Sequence, residues 1–343
     1  MATTNGDASA QEMKVGMAEI AALAREFPGP DLEAATRVLE RDRLLAKPKG
    51  GLGQLEGLVE WLATWQSRHP PRVERPAVAV FAGSHGVAER DVSSRSMAAT
   101  AKKIAGYGAG KGAINAVVGA LDADFQVFEL ALEEPTQDFT EGPAMTDAEC
   151  ARAMAYGMMS VGQDIDVLVL GQVGVGGDVS AAALLAALHG GAGADWVDSG
   201  HERAAGKAAV VDAGVKLHKA EATDAFDLLR RLGGQEIAAM VGAIIASRMG
   251  RTPIVLDGMA AGAAAAVVAA QAASGADHCA LGHVEDHVGG ARLQQALGKA
   301  PSLSLGLKVG EGVGGALAVH ILRAAAQCHA DMATRQELQR LQG

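Results

Sequence analysis

Residues 165–188 read IDVLVLGQVGVGGDVSAAALLAAL, and the fold turns on them. Residues 165–170 are a short apolar run with β-branched content, which predicts a buried strand. Residues 171–177 follow as GQVGVGG, and residues 178–188 have the alanine and leucine content of a good helix. Strand, glycine loop and helix in that order form half of a parallel βαβ unit. Glycines let a backbone turn sharply and approach a ligand closely. The helix start adds free N–H groups and the positive end of a dipole, which suit a phosphate. The plainer reading is a glycine-rich connection between two buried elements. The loop is not the G-x-G-x-x-G dinucleotide fingerprint. Asp178 at the helix start would repel a phosphate unless a cation intervenes, or unless its carboxylate turns away as the helix N-cap. Lys207, Arg203 and Lys47 are the candidate cations.

Composition narrows the function classes. A chain of 343 residues, 49% hydrophobic, has room for a sizeable core, as two domains or as one large α/β domain with an appendage. Aromatic content of 3% speaks against an aromatic platform for nucleic acid. A formal charge of −10 speaks against binding polyanions over the whole surface, though not against one phosphate in a local site. Cys150, Cys279 and Cys328 are widely spaced and form no C-x-x-C pair, which fits a reducing cytoplasm. Neither a signal peptide nor a membrane span is expected.

The remaining chain extends the alternating pattern. Residues 1–10 are polar and expected to be disordered. Helices are expected over 11–26 and 31–45, separated by Pro28-Gly29-Pro30. Another spans 52–66, with Leu55, Leu58, Leu62 and Trp65 on one side. Strands are expected at 77–82, 125–130, 253–256 and 278–281. Helices are expected at 96–120 (broken by glycines at 106–112), 146–160, 202–219, 235–249, 259–273 and 316–328. Open α/β sheets bind ligands at the C-terminal ends of their strands. Ser84 and His85 stand at such an end, as does Asp257, although His85 could equally bond its own turn. His283 and His287 have the i, i+4 spacing of helical metal ligands, but no third ligand is evident and no metal is expected. Residues 310–315 read GEGVGG. The carboxylate of Glu311, framed by glycines, is either a buried base held against a ligand or a charge complementing a helix dipole.

Several segments together resemble the nicotinate-nucleotide–dimethylbenzimidazole phosphoribosyltransferase family, the CobT family. They are KPKGGLGQLE (47–56), AVFAGSHGVAERDVS (79–93), KGAINAV (111–117), GQVGVGGDVSAAAL (171–184), GGQEIAAMVGAI (233–244), TPIVLDG (252–258), LKVGEGVGGALA (307–318) and DMAT (331–334). They run in family order over nearly the whole chain. The resemblance implies an α/β fold with a parallel, Rossmann-like sheet flanked by helices, and a small helical domain built from both chain ends. The corresponding division is 1–70, 71–300 and 301–343. It also implies a homodimer, no metal or redox cofactor, and nicotinate mononucleotide with an azole base as substrates.

The reaction so implied is a base exchange giving α-ribazole phosphate and nicotinate. It needs an anchored phosphate, two rings held across the anomeric carbon, and an acceptor for the azole proton. Glu311 matches the family's catalytic glutamate. Expected around the substrates are Ser84, His85, Arg95, Met97, Gln172, Gly174, Gly176, Gly177, Asp178, Lys207, Asp257, Gly310 and Gly312. Several ligand-facing positions depart from the family pattern. Ser84 replaces an aspartate, Gln172 a glutamate, and Asp178 a hydroxyl side chain. Arg95 and Met97 stand in a segment where the family carries an aromatic residue and an amide, which predicts altered base choice. A catalytically impaired paralogue, binding nucleotide or azole as a regulatory or partner subunit, is the alternative function.

Overall fold

The computed structural model describes residues 16–341, so the expectation for residues 1–10 lies outside them. Five strands form one parallel sheet: β1 (Pro76–Ala82), β2 (Asp124–Glu129), β3 (Val167–Val173), β4 (Ile254–Asp257) and β5 (Cys279–His283). Their order is β2-β1-β3-β4-β5. The chain goes outward from β1 to β2, then returns past β1 to lay down β3. Strand order therefore reverses between β1 and β3, the kind of position at which open parallel sheets bind ligands.

Alternating side chains of the strands feed two cores, as the two-residue period of a strand requires. Ala79 and Phe81 of β1, Leu168 and Leu170 of β3, and Ile254 and Leu256 of β4 face one layer. That layer contains α6 (Asp147–Met159), α7 (Gly177–His189), α10 (Gln235–Met249) and α11 (Gly258–Gln271). Val78, Val80, Val169 and Val255 face the other, with α5 (Ala113–Leu121) and α13 (Val313–Asp331). Both faces are covered, so the inner strands are apolar until their C-terminal ends, where Gln172 and Asp257 stand. Close helix packing rests on small residues. A Cβ on Gly157 of α6 would stand 1.8 Å from the Ala239 carbonyl oxygen of α10. A third, small cluster joins Ala34 and Val38 of α2 (Leu32–Leu44), Val59 and Ala63 of α3 (Gln54–Gln66), and Ala325 of α13.

The central strand runs further than its apolar stretch suggests. β3 continues through Gly171 and Gln172 to Val173, each paired with β1. α9 (Ala225–Leu232), α12 (Val288–Leu297) and α14 (Arg335–Leu341) have no counterpart among the expected helices, being ten residues or fewer, too short for a clear helical period. α13 begins at Val313 rather than 316, because its start belongs to the glycine frame of Glu311.

Candidate active site

A cleft of about 450 Å³ opens at the C-terminal edge of the sheet. Three helices begin around it, each at a glycine with left-handed φ: Gly176 at 92° before α7, Gly258 at 82° opening α11, and Gly312 at 89° before α13. None of the three is capped by its own N-cap side chain, but Glu285 accepts the Met259 N–H of α11 and Asp257 accepts the Gly312 N–H before α13. The α7 start, with no side-chain acceptor, is the one of the three that offers backbone N–H groups toward an anion.

Glu311 lines this cleft. Its loop is pressed onto the sheet so closely that a Cβ on Gly171 would stand 2.3 Å from the Gly312 nitrogen. The Gln172 N–H donates to the Gly310 carbonyl at 2.9 Å, and the Gly312 N–H donates to Asp257 Oδ2 at 2.7 Å. The glycine frame is therefore what lets the backbone on either side of Glu311 lie directly against β3. Lys103 and Tyr107 of α4 (Ala98–Gly108) both reach Glu311, as an ion pair and a hydroxyl hydrogen bond. Burial and the Glu311 carboxylate raise the Tyr107 phenol, so it stays a hydrogen-bond donor. Sequence alone identifies neither partner. Lys103 and Tyr107 are four residues apart on one helix, a spacing that places them on the same face. Nothing in the sequence points that face at residue 311.

At the other side, Lys207 of α8 (Ala204–His218) forms an ion pair with Asp178 in the first turn of α7. The cation expected to shield Asp178 is thus Lys207, whose side chain is buried to 9% exposure while the carboxylate is 57% exposed. The N-cap alternative for Asp178 is overturned: Gly176 occupies that position. Arg203 is engaged by Asp91 instead, and Lys47 lies between Asp42 and Glu56, where burial lowers its pKa but the two carboxylates raise it further.

Of the remaining residues expected around the substrates, Arg95, Gln172, Gly174, Gly176, Asp257 and Gly310 line the cleft. Ser84, His85, Met97, Gly177 and Gly312 do not. Met97 stands directly before α4 and is not among the residues that line the cleft. Gly177 is overlaid by the Gln172 side chain, whose Nε2 would stand 2.1 Å from a Cβ there. His85 is completely buried, and its Nε2 lies 2.8 Å from Glu236 Oε1. Burial would push His85 down, but the charge and hydrogen bond of Glu236 outweigh it and raise the imidazole. The His85 imidazole thus bonds not its own turn but Glu236, forming a buried internal pair. Gln172 also belongs to that pair, donating from Nε2 to Glu236 Oε1 at 3.3 Å. A glutamate at 172 would set two carboxylates against each other; the amide supplies a donor.

Asp257 closes the cleft floor. Burial pushes its carboxyl above the usual range, against the pull of His283, whose Nδ1 lies 3.5 Å away. His283 ends β5 whereas His287 caps α12, accepting from the Gly289 N–H at 3.1 Å. The helical pairing that suggested metal ligands therefore does not exist. Glu285, between the two histidines, lines the cleft instead.

Fold and cleft together define an α/β protein with a parallel sheet and a polar cleft at the C-terminal ends of β3, β4 and β5. A family model described as a phosphoribosyltransferase matches residues 27–339. The nicotinate-nucleotide–dimethylbenzimidazole phosphoribosyltransferase of Brucella anthropi is 46% identical over 316 residues, covering 91% of this chain and 93% of its own. That of Sinorhizobium medicae is 45% identical over 317 residues, covering 91% and 94%. The crystal structure of the Thermus thermophilus enzyme of that name superposes with a TM-score of 0.84 at 31% identity, over 90% of this chain and 98% of that one. The chain belongs to the nicotinate-nucleotide–dimethylbenzimidazole phosphoribosyltransferase family.

Proposed function

We propose that the chain transfers the ribosyl phosphate of nicotinate mononucleotide to a benzimidazole-type base, releasing nicotinate and α-ribazole phosphate. The observation that carries this reading is Glu311, held at the cleft by a glycine frame and two α4 side chains in a chain 46% identical to enzymes of that name. A ring nitrogen of the base attacks C1′, the C1′–N bond to nicotinate breaks, and the bonding pair leaves with nicotinate. Glu311 takes the proton from the azole N–H. The level of identity favours an active enzyme over an impaired paralogue. The test is direct: nicotinate mononucleotide and dimethylbenzimidazole are incubated with the protein and α-ribazole phosphate is sought by mass spectrometry. Its absence overturns the reading.

In this reading the phosphate sits at the start of α7, between the Gly174–Gly176 backbone and Lys207. Asp178 then competes for the same lysine. At about 4 Å in a water-like dielectric, the repulsion between two charges is about 1 kcal/mol. Asp178→Thr is therefore expected to tighten nicotinate mononucleotide binding about fivefold or more by titration calorimetry. An unchanged or weaker dissociation constant removes the phosphate from this helix start.

Residues 1–70 and 301–343 form the small helical domain in this proposal, and 71–300 the large one. The α2–α3–α13 cluster draws on both chain ends and supports joining them, while the rest of α13 packs on the sheet of the large domain. The protein acts as a homodimer in the cytoplasm and uses no metal or redox cofactor. Light scattering tests the dimer. Among the described residues, no helix is long and apolar enough to cross a membrane.

A further inference from the structure

We infer that Glu285 is a second working carboxylate of this cleft, accepting a ribose hydroxyl and stabilising the positive charge that develops at the anomeric carbon. This rests on the reaction proposed above. Glu285 follows β5 and lines the same cleft as Glu311. Two glycines make room for it: a Cβ on Gly258 would stand 2.7 Å from Oε1, and a Cβ on Gly310 would stand 3.0 Å away. Gly310 is the residue directly before Glu311, so the loop that carries Glu311 also packs against the Glu285 carboxylate. Oε2 accepts the Met259 N–H at 3.1 Å, in the first turn of α11. That bond and the helix dipole fix the orientation of the carboxylate. A carboxylate has room for about four hydrogen bonds, so acceptor capacity remains for a ligand.

Glycosyl transfer passes through an oxocarbenium-like state, and carboxylates beside the anomeric carbon are the usual means of stabilising it. A carboxylate in a partly dry cleft is poorly solvated before reaction and well matched when positive charge appears, which is differential stabilisation of the transition state. Burial pushes Glu285 up to about 7, with the facing Asp257 adding to the push and His283 opposing it. Lys308, Lys103 and Glu311 also line the cleft, and His287 stands two residues on. Turnover is then expected to rise with pH near 7 as Glu285 ionises.

The test compares wild-type protein with Glu285→Gln and Glu285→Asp, using nicotinate mononucleotide and dimethylbenzimidazole across a pH series. Glu285→Gln is expected to lower kcat roughly a hundredfold, with little change in KM, and to abolish the rising limb near pH 7. Glu285→Asp, which keeps the charge, is expected to retain the limb and recover part of kcat. Unchanged kcat with the limb intact, or a loss confined to KM, overturns the inference while the proposed function stands. A wild-type protein that forms no product overturns both.

Discussion

Replacing Glu311 with glutamine is expected to lower turnover by roughly two to four orders of magnitude, the usual contribution of a general base. The amide preserves shape and removes the proton acceptor. Lys103 and Tyr107 both address this carboxylate, so its position is set from α4 as well as from the glycine frame. Nicotinate mononucleotide affinity is expected to change far less than kcat, because the lost interaction belongs to the transition state. The check is steady-state kinetics at saturating base, with binding measured separately. Turnover at the wild-type rate would assign the azole proton to another acceptor.

Glu236→Leu is expected to destabilise the fold by about 3 kcal/mol, the lower end for breaking a buried ionic pair. Both partners of the His85–Glu236 pair are essentially inaccessible to water, so the variant strands an imidazole without its acceptor. The pair also predicts a pH dependence. The folded-state imidazole is raised above its ordinary value of 6.5. Its stabilising increment is therefore fully present below that value and is lost as pH rises through the raised pKa. Denaturant midpoints of the wild type should show this decline, and those of Glu236→Leu should not. Identical pH profiles would show that the pair carries no ionic linkage.

Much of this fold is legible in the sequence because its signals are local. The apolar run before GQVGVGG, the alternation of strands with helices, and the glycines around Glu311 each constrain the backbone within a few residues. The site is legible only where chemistry and glycine frame coincide, as at Glu311 and at residues 174–178. Its remaining parts come from distant positions. Glu236 meets His85 across 151 residues of sequence, and Lys103 meets Glu311 across 208. No periodicity encodes such meetings. His85 misleads for the same reason: a histidine between glycines at a strand end has the local signature of a ligand contact. Only the tertiary position of Glu236 turns it inward. Glu285 is hidden by its neighbours, since two histidines four apart draw attention to a metal.

The three left-handed glycines at 176, 258 and 312 also limit how this pocket can change over generations. Any other L-residue there brings a strained backbone as well as a side chain. Selection for new base or nucleotide preference would meet a rigid scaffold at those positions and a permissive lining elsewhere. Adaptive variants should accumulate at Arg95 and Val309, which line the cleft and lie exposed at its surface. A library randomised at both sets, sorted for activity on a foreign base, should return glycine at the three frame positions and diversity at the wall positions.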